Sequence, residues 1–193
     1  MSSISVRDAT PADAPALVDI VLMAGEGLPE RVWAEMAHPG ETLRDVGLRR
    51  AARGEGSFSF RNAQIATRNG DLAGGMVGYP LPDDPVPIGP DFPAEFVPLQ
   101  ELENLAPSTW YLNIVGVYDG MRGQGVGSAL LAHAEGVARR AGLRAVSLIV
   151  FSGNPGARRL YERAGFRERA RRRMHVPGWE HDGANAILMV KSV

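Results

Sequence analysis

The sequence predicts an α+β protein with a mixed, mostly antiparallel sheet of about seven strands that includes one parallel pair, flanked by about four helices. Three observations predict this class. In the first half, two strand-like runs flank Asn69-Gly70, a hairpin-type turn that favours antiparallel pairing. The second half alternates strand and helix patterns, and a helical crossover joins parallel strands. The run Ala145–Phe151 is almost wholly apolar, as in a strand covered on both faces.

The first half begins with a short alternating strand at Ile4–Arg7. Thr10-Pro11 then has the order of an N-cap and a first-turn proline, which predicts a helix start. Two further helices are predicted at Arg31–Ala37 and Leu43–Arg53. Two further strands are predicted at Phe58–Thr67 and Leu72–Tyr79. Glycines in the last of these strands predict a bulge.

The second half contains two helices, Gly127–Ala141 and one that starts at Asn154-Pro155 and ends at Gly165. Its predicted strands are Trp110–Tyr118, Ala145–Phe151, Phe166–Val176 and Ala184–Val190. Four arginines in the third of these strands stand at alternate positions and are predicted to share one charged outer face: Arg167, Arg169, Arg171 and Arg173.

A proline-rich, acidic insertion at 80–108 separates the two halves. Its prolines exclude most regular structure, apart from a short helix predicted near Phe96–Asn104. No lysine, arginine or histidine occurs between Arg68 and Arg122, whereas the insertion carries carboxylates at Asp83, Asp84, Asp91, Glu95, Glu101 and Glu103. A long irregular segment inside a compact domain is usually functional or disordered.

Composition excludes several classes of protein. The 193 residues suit a single domain over 1–193, and a formal net charge of -1 gives no support to a nucleic-acid or membrane-surface role. Because there is no cysteine, disulfides and thiolate metal sites are absent, and we expect no metal. No apolar run has the length of a signal peptide or a membrane span, and we expect a cytoplasmic protein.

The segment GVYDGMRGQGVGSALL places a glycine-rich turn between a strand and a helix. Backbone amides at such a turn, aided by the helix dipole, form an anion site, and Arg122 can add a charge-assisted hydrogen bond. A nucleoside-triphosphate loop would need Gly-Lys-Ser/Thr, and a dinucleotide fingerprint would need G-x-G-x-x-G with an acid after the next strand. The turn has neither feature, which leaves another phosphate ligand or a purely structural turn.

The segment VYDGMRGQGVGSALL, followed by NPGARRLYERAGF, closely resembles the GNAT superfamily of N-acetyltransferases. In that family an R/Q-x-x-G-x-G/A turn follows the fourth strand, and Gln124-Gly125-Val126-Gly127 matches it, with Arg122-Gly123 ahead. A second family motif is matched at Asn154, Ala157, Leu160, Tyr161, Glu162, Gly165 and Phe166. The close resemblance covers Trp110–Phe166, and the insertion carries none of the family motifs.

The resemblance implies acetyl-CoA as cosubstrate and a fourth and fifth strand that splay apart around the thioester. The turn would hold the diphosphate, and the fourth strand would pair with the pantetheine arm. The implied cofactor-binding residues are Val115, Gly116, Val117, Arg122, Gly123, Gln124, Gly125, Val126, Gly127, Ser128, Asn154 and Tyr161. Asn154 also fits a plain N-cap. Tyr161 matches the family tyrosine near the coenzyme sulfur and is the implied catalytic acid, although its ring also fits a core position.

The general base departs from the family pattern. Many relatives carry a glutamate on the fourth or the fifth strand, and the matching positions here are Asn113 and Ile149, which cannot accept a proton. Three sources remain: a carboxylate elsewhere, such as Glu101 or Glu103, a water chain, or a substrate amine of low pKa.

The carboxylates of the insertion favour a cationic primary amine, since a negative cleft concentrates such a substrate. Polyamines, aminoglycosides, amino acids and protein amines are the candidate acceptors, and an acidic loop is as often plain solvated surface. The main hypothesis is an N-acetyltransferase that works by direct attack in a ternary complex. The alternatives are a non-catalytic acyl-CoA sensor of the same fold and a nucleotide-binding protein of another fold. Family members are often dimers, so a homodimer is a candidate assembly.

Overall fold

A computed structural model describes residues 3–193 and contains a seven-stranded mixed sheet. The strands are β1 Ile4–Asp8, β2 Ala63–Arg68, β3 Asp71–Pro80, β4 Trp110–Val117, β5 Ala145–Phe151, β6 Arg167–Arg173 and β7 Asn185–Ser192. Their order is β1-β2-β3-β4-β5-β7-β6. The pairing of β4 with β5 is parallel and joins Trp110–Leu112 to Val146–Leu148, whereas β1/β2, β2/β3, β5/β7 and β6/β7 are antiparallel. The predicted α+β class is confirmed.

Six α-helices accompany the sheet, one in each of the six segments where the sequence predicts a helix, compared with about four in the predicted overall class. They are α1 Ala14–Ala24, α2 Leu28–Met36, α3 Leu43–Ala52, α4 Val97–Glu103, α5 Val126–Arg140 and α6 Pro155–Arg163. Short 3-10 turns precede α1 and α4. Among residues 3–193, no helix is both long and apolar enough to cross a membrane.

The chain divides into two compact units, and the first consists of residues 3–78 and Ile114–His133. Its core is formed mainly by α1, α2, α3 and strand β2, with Trp33 stacked on Phe58 at a ring distance of 5.8 Å. Gly116 on β4 lies against α1, because a Cβ there would stand 2.9 Å from Ile20 Cγ2. The first unit therefore fixes the second half of β4 against a buried helix.

The predicted bulge in β3 lies beside Gly74. Ala66 is opposite Gly74 and Thr67 is opposite Leu72, so Ala73 is the extra residue. The Ala73 carbonyl accepts a hydrogen bond of 3.0 Å from the amide of Tyr118, the residue after β4. The bulge thus supports the start of the loop that leads to α5.

The second unit consists of Tyr79–Asn113 and Ala134–Val193. Strand β5 is mostly buried, and the Ser147 hydroxyl is hydrogen bonded to Thr109 Oγ1 at 2.6 Å. Helix α4 packs on β6 and β7, with Leu102 fully buried. Most of the insertion is irregular, as predicted, and α4 anchors it.

Two expectations about strands are wrong. The second strand begins at Ala63 rather than Phe58, because the Ser59 hydroxyl accepts a hydrogen bond from the Arg61 amide and starts a 3-10 turn. The alternating arginines do not share one face. Glu168 is opposite Met189 and Ala170 is opposite Leu188, which makes Arg169 a bulge.

A bulge shifts the side-chain alternation by one position, so the face changes along β6. Arg171 and Arg173 stay on one face, and Arg167 lies on the other. Arg172, on the same face as Arg167, pairs with Glu101 of α4.

Candidate active site

The predicted anion site lies in the turn between β4 and α5. After a 3-10 turn at Asp119–Met121, Gly123 has a φ of 73° and Gly125 a φ of 87°. These left-handed conformations favour glycine. A Cβ at Gly123 would meet nothing within 4 Å. The left-handed backbone conformation, rather than crowding, therefore explains why a glycine stands at this position.

Three amides of this turn have no backbone partner outside the regular helices and strands of residues 3–193, those of Gly123, Gln124 and Gly125. The Arg122 amide, by contrast, donates to the Asp119 carbonyl at 3.3 Å. Helix α5 begins at Val126, and the first amides of a helix lack an intrahelical acceptor. A row of donors at a positive helix end is the arrangement that binds phosphate.

Two side chains of the turn brace it. Arg122 Nε donates to the Val117 carbonyl at 3.2 Å, and its guanidinium pairs with Asp119 at 3.0 Å. Gln124 Nε2 donates to the Gly120 carbonyl at 2.7 Å. The Arg122 side chain is 62% exposed, so it holds the turn and still presents positive charge to solvent.

Val115, Gly116 and Val117 form the end of β4. Gly116 is buried, while Val115 and Val117 are half-buried. Gly74 on β3 is equally confined, since a Cβ there would lie 2.3 Å from the Gly116 carbonyl oxygen. Close backbone packing therefore explains Gly116 without a ligand, and the pairing of this strand with pantetheine stays a prediction.

Asn154 and Tyr161 lie in the second unit. Asn154 immediately precedes α6, and Tyr161 lies within that helix. Asn154 Oδ1 accepts a hydrogen bond of 3.0 Å from the Ala157 amide, which is an N-cap. The Tyr161 ring is buried and meets Phe166 edge-on at 6.1 Å. Both residues have the structural roles considered above, and the cofactor and acid roles remain predictions.

The two positions where many relatives carry a carboxylate are occupied differently. Asn113 on β4 is exposed, and its Nδ2 donates to the Tyr79 hydroxyl at 2.8 Å. Ile149 on β5 is opposite Leu188 of β7. Neither side chain can accept a proton, so neither can act as a general base.

A buried cluster next to Asn113 contains a titratable carboxylate. The Tyr111 hydroxyl is hydrogen bonded to Glu103, and the Tyr79 and Tyr111 rings meet edge-on at 5.7 Å. Burial raises the pKa of Glu103 to about 7, and the hydrogen bond with Tyr111 offsets this in part. Burial, and then the charge of Glu103, also raise the pKa of Tyr79 and of Tyr111.

Sequence reasoning named Glu103 but missed its two tyrosines. Tyr111 and Asn113 stand two residues apart on a predicted strand, which places them on one face and was a usable signal. Nothing in the sequence indicated that the insertion folds so that Glu103 lies beside Tyr111 on β4.

The other insertion carboxylates lie in different surroundings. Glu101 pairs with Arg172, and Asp83 accepts a hydrogen bond of 2.6 Å from the Ser108 hydroxyl. Asp84 and Asp91 are exposed. Among residues 3–193, no group of three or more His, Cys, Asp or Glu side chains has an arrangement that could hold a metal ion.

Comparison with known proteins gives a consistent result. The model of the acetyltransferase (GNAT) family matches residues 28–166. A mycothiol acetyltransferase from Parafrankia sp. (strain EAN1pec) is 35% identical over an alignment of 183 positions, and the match covers 86% of this chain and 53% of that protein. The chain thus spans about half the length of that relative.

Solved structures share the fold. One described as an acetyltransferase has 24% identity and a TM-score of 0.67, covering 98% of this chain and 99% of the other. A polyamine N acetyltransferase from Drosophila melanogaster has 16% identity and a TM-score of 0.65, covering 99% of this chain and all of the other. The family match confirms the predicted family, and the solved structures confirm its fold.

Proposed function

Because the chain belongs to the acetyltransferase (GNAT) family, we propose that it transfers the acetyl group of acetyl-CoA to a primary amine on a small cationic molecule, by direct attack in a ternary complex. The observation that carries the proposal is the turn Arg122–Ser128, with two left-handed glycines and free amide donors at the start of α5. Membership in this family and an exposed diphosphate cradle together support a coenzyme A thioester as donor.

The residues that fit acetyl-CoA have distinct tasks. The amides of Gly123 to Ser128 would bind the diphosphate, and Arg122 would add charge at its edge. The backbone of Val115 to Val117 would align the pantetheine arm. Acetyl-CoA supplies the activated acetyl group, and the amine nitrogen attacks the thioester carbon as the C–S bond breaks.

Tyr161 is the proposed proton donor to the leaving sulfur. Its ring is buried and packs on Phe166, and a tyrosine can bury its ring while its hydroxyl takes part in a site. Tyr161→Phe keeps the ring and removes the proton, so we expect kcat to fall about 100-fold while the acetyl-CoA Kd changes less than about twofold. Steady-state kinetics and calorimetry measure the two quantities, and an unchanged kcat would remove Tyr161 from the mechanism.

The proposed class of acceptor, a cationic amine, follows from the negative charge of the insertion. Exposed Asp84 and Asp91 and half-buried Glu95 leave the insertion negative, because no basic residue lies between Arg68 and Arg122. A negative surface raises the local concentration of a cationic amine. Polyamines head the list of candidates, and aminoglycosides and amino acids are next.

A panel of amines incubated with acetyl-CoA, with free thiol followed by a chromogenic disulfide, tests the proposal. The chain has no cysteine, so protein thiols do not contribute to the signal. We expect thiol release well above background with at least one cationic amine and an acetylated product of matching mass. Background release with every amine would contradict the proposed transfer.

A non-catalytic acyl-CoA sensor is the second candidate function. It is favoured by one observation, the presence of Asn113 and Ile149 where many relatives carry a carboxylate. Tight acetyl-CoA binding without thiol release would support it. The fold and the family exclude the third hypothesis, a nucleotide-binding protein of another fold.

Three further expectations belong to this proposal. We expect residues 1–193 to act as one acetyltransferase domain whose insertion at 80–108 faces the acceptor, a cytoplasmic location, and a homodimer as the candidate assembly. Analytical ultracentrifugation at several protein concentrations tests the assembly.

A further inference from the structure

Glu103 is a partly buried carboxylate in the second unit that has no role in the steps proposed above. Glu103 ends α4, the helix that anchors the insertion on β6 and β7. Its carboxylate is half-buried and accepts a hydrogen bond from the Tyr111 hydroxyl. It also lines a small cleft with Leu81, Asp84, Gln100 and Asn104, which has room for about one water molecule. A general base can act through one such water.

The same cluster reaches the position on β4 where a base is missing. Asn113 Nδ2 donates to the Tyr79 hydroxyl at 2.8 Å, and the Tyr79 ring meets the Tyr111 ring at 5.7 Å. The Tyr111 hydroxyl is bonded in turn to Glu103. An exposed amide on β4 is therefore connected through two tyrosines to a carboxylate from the insertion.

We propose that Glu103 is the general base of the acetyl transfer, and that Tyr79 and Tyr111 are positioning residues that hold it beside β4. This inference rests on the proposed function. The substrate ammonium gives one proton to the Glu103 carboxylate, and the freed nitrogen lone pair forms the C–N bond as the C–S bond breaks. The leaving sulfur takes the Tyr161 proton, the second nitrogen proton restores Tyr161, and the proton on Glu103 leaves to solvent.

The surroundings of Glu103 suit this task. Tyr79 of β3 and Tyr111 of β4 are the titratable groups against it, and both are neutral at physiological pH because burial raises the pKa of each phenol. Asp84 lines the same cleft, while Glu101 on the same helix is paired with Arg172 of β6. Burial raises the pKa of Glu103 to about 7, where a carboxylate exchanges protons most effectively near neutral pH.

The test compares two isosteric variants of α4, Glu103→Gln and Glu101→Gln, over pH 5.5–9 with the best amine of the panel. Wild-type kcat/KM is expected to rise with pH through an apparent pKa of about 7, because ionised Glu103 is required. In Glu103→Gln we expect kcat/KM at pH 7.5 to fall about 100-fold, and the rise of kcat/KM near pH 7 (the rising limb of the pH profile) to vanish. Glu101→Gln removes the same charge. We expect it to keep this limb and to change kcat/KM by less than about threefold.

Acetyl-CoA calorimetry on each variant confirms that the coenzyme site is intact. Tyr111→Phe is the second variant. It keeps the ring and removes the hydroxyl that is hydrogen bonded to Glu103. Because this hydrogen bond lowers the pKa of Glu103, we expect the pH at which kcat/KM rises to move higher. A Glu103→Gln enzyme with the wild-type rate and pH dependence, or a pH dependence that Tyr111→Phe leaves in place, would overturn the base assignment alone. A wild-type protein that acetylates no amine would overturn the proposed function as well.

Discussion

The turn Arg122–Ser128 and the insertion at 80–108 differ in what fixes their structure. The turn is held by its own glycine conformations and by bonds between residues four or five positions apart, Gln124 to Gly120 and Arg122 to Val117. The insertion is held by distant contacts, such as the pair of Glu101 with Arg172. The proposed donor chemistry is thus local in the sequence, whereas the proposed acceptor chemistry depends on how the insertion folds.

Truncating the anchor of the insertion should have the largest effect on stability. Leu102 on α4 is fully buried, so Leu102→Ala is expected to lower the free energy of unfolding by about 3 kcal/mol. Leu105→Ala is the matched control, because Leu105 is 41% exposed and should cost less than about 0.5 kcal/mol. Urea unfolding measures both, and equal losses would show that the insertion is not anchored through α4.

A substitution in the turn should affect binding more than stability. Gly125→Ala places a Cβ in the proposed diphosphate cradle at a φ of 87°, and we expect acetyl-CoA affinity to fall about 100-fold, or about 2.7 kcal/mol. Gly70→Ala is the control, at a φ of 94° in the β2–β3 hairpin with nothing within 4 Å of the new Cβ. It carries similar backbone strain, so the two should lose similar stability while only Gly125→Ala loses affinity. A similar loss of affinity in both would mean that strain, rather than the cradle, is responsible.

The pH dependence of stability should reveal Glu103 without any assay of activity. Its pKa is about 7 in the folded protein against an ordinary 4.5, so its neutral form favours folding below pH 4.5 and this stabilisation is lost as pH rises through 7. Glu103→Gln has no such dependence. We therefore expect its free energy of unfolding to rise by about 2 kcal/mol relative to that of wild type between pH 4.5 and pH 8. Thermal unfolding across this range measures the gain. A difference that does not change with pH for Glu103→Gln would place its carboxylate in water.

The sequence predicted those parts of the site that depend on neighbouring residues. The N-cap at Asn154, the strand–turn–helix order around Gly123 and Gly125, and the family itself follow from short motifs. Local side-chain bonding still caused one error, because Ser59 starts a 3-10 turn inside a run that has a strand composition.

Long-range features escaped prediction for physical reasons. The bulge at Arg169 depends on how β6 registers with β7, and a single inserted residue leaves no pattern in the alternation of arginines. The hydrogen bond of Glu103 with Tyr111 joins residues eight positions apart across an irregular segment. Its geometry follows from tertiary packing of α4 rather than from either residue type.

The proposed donor site requires that backbone amides of the turn bind the diphosphate of a thioester carrier. Calorimetry can compare acetyl-CoA with acetyl-pantetheine, which keeps the thioester arm and lacks the diphosphate. We expect acetyl-CoA to bind at least about 100-fold more tightly and Gly125→Ala to remove most of this difference. Equal affinity for the two ligands, or no heat with acetyl-CoA at millimolar concentration, would contradict it.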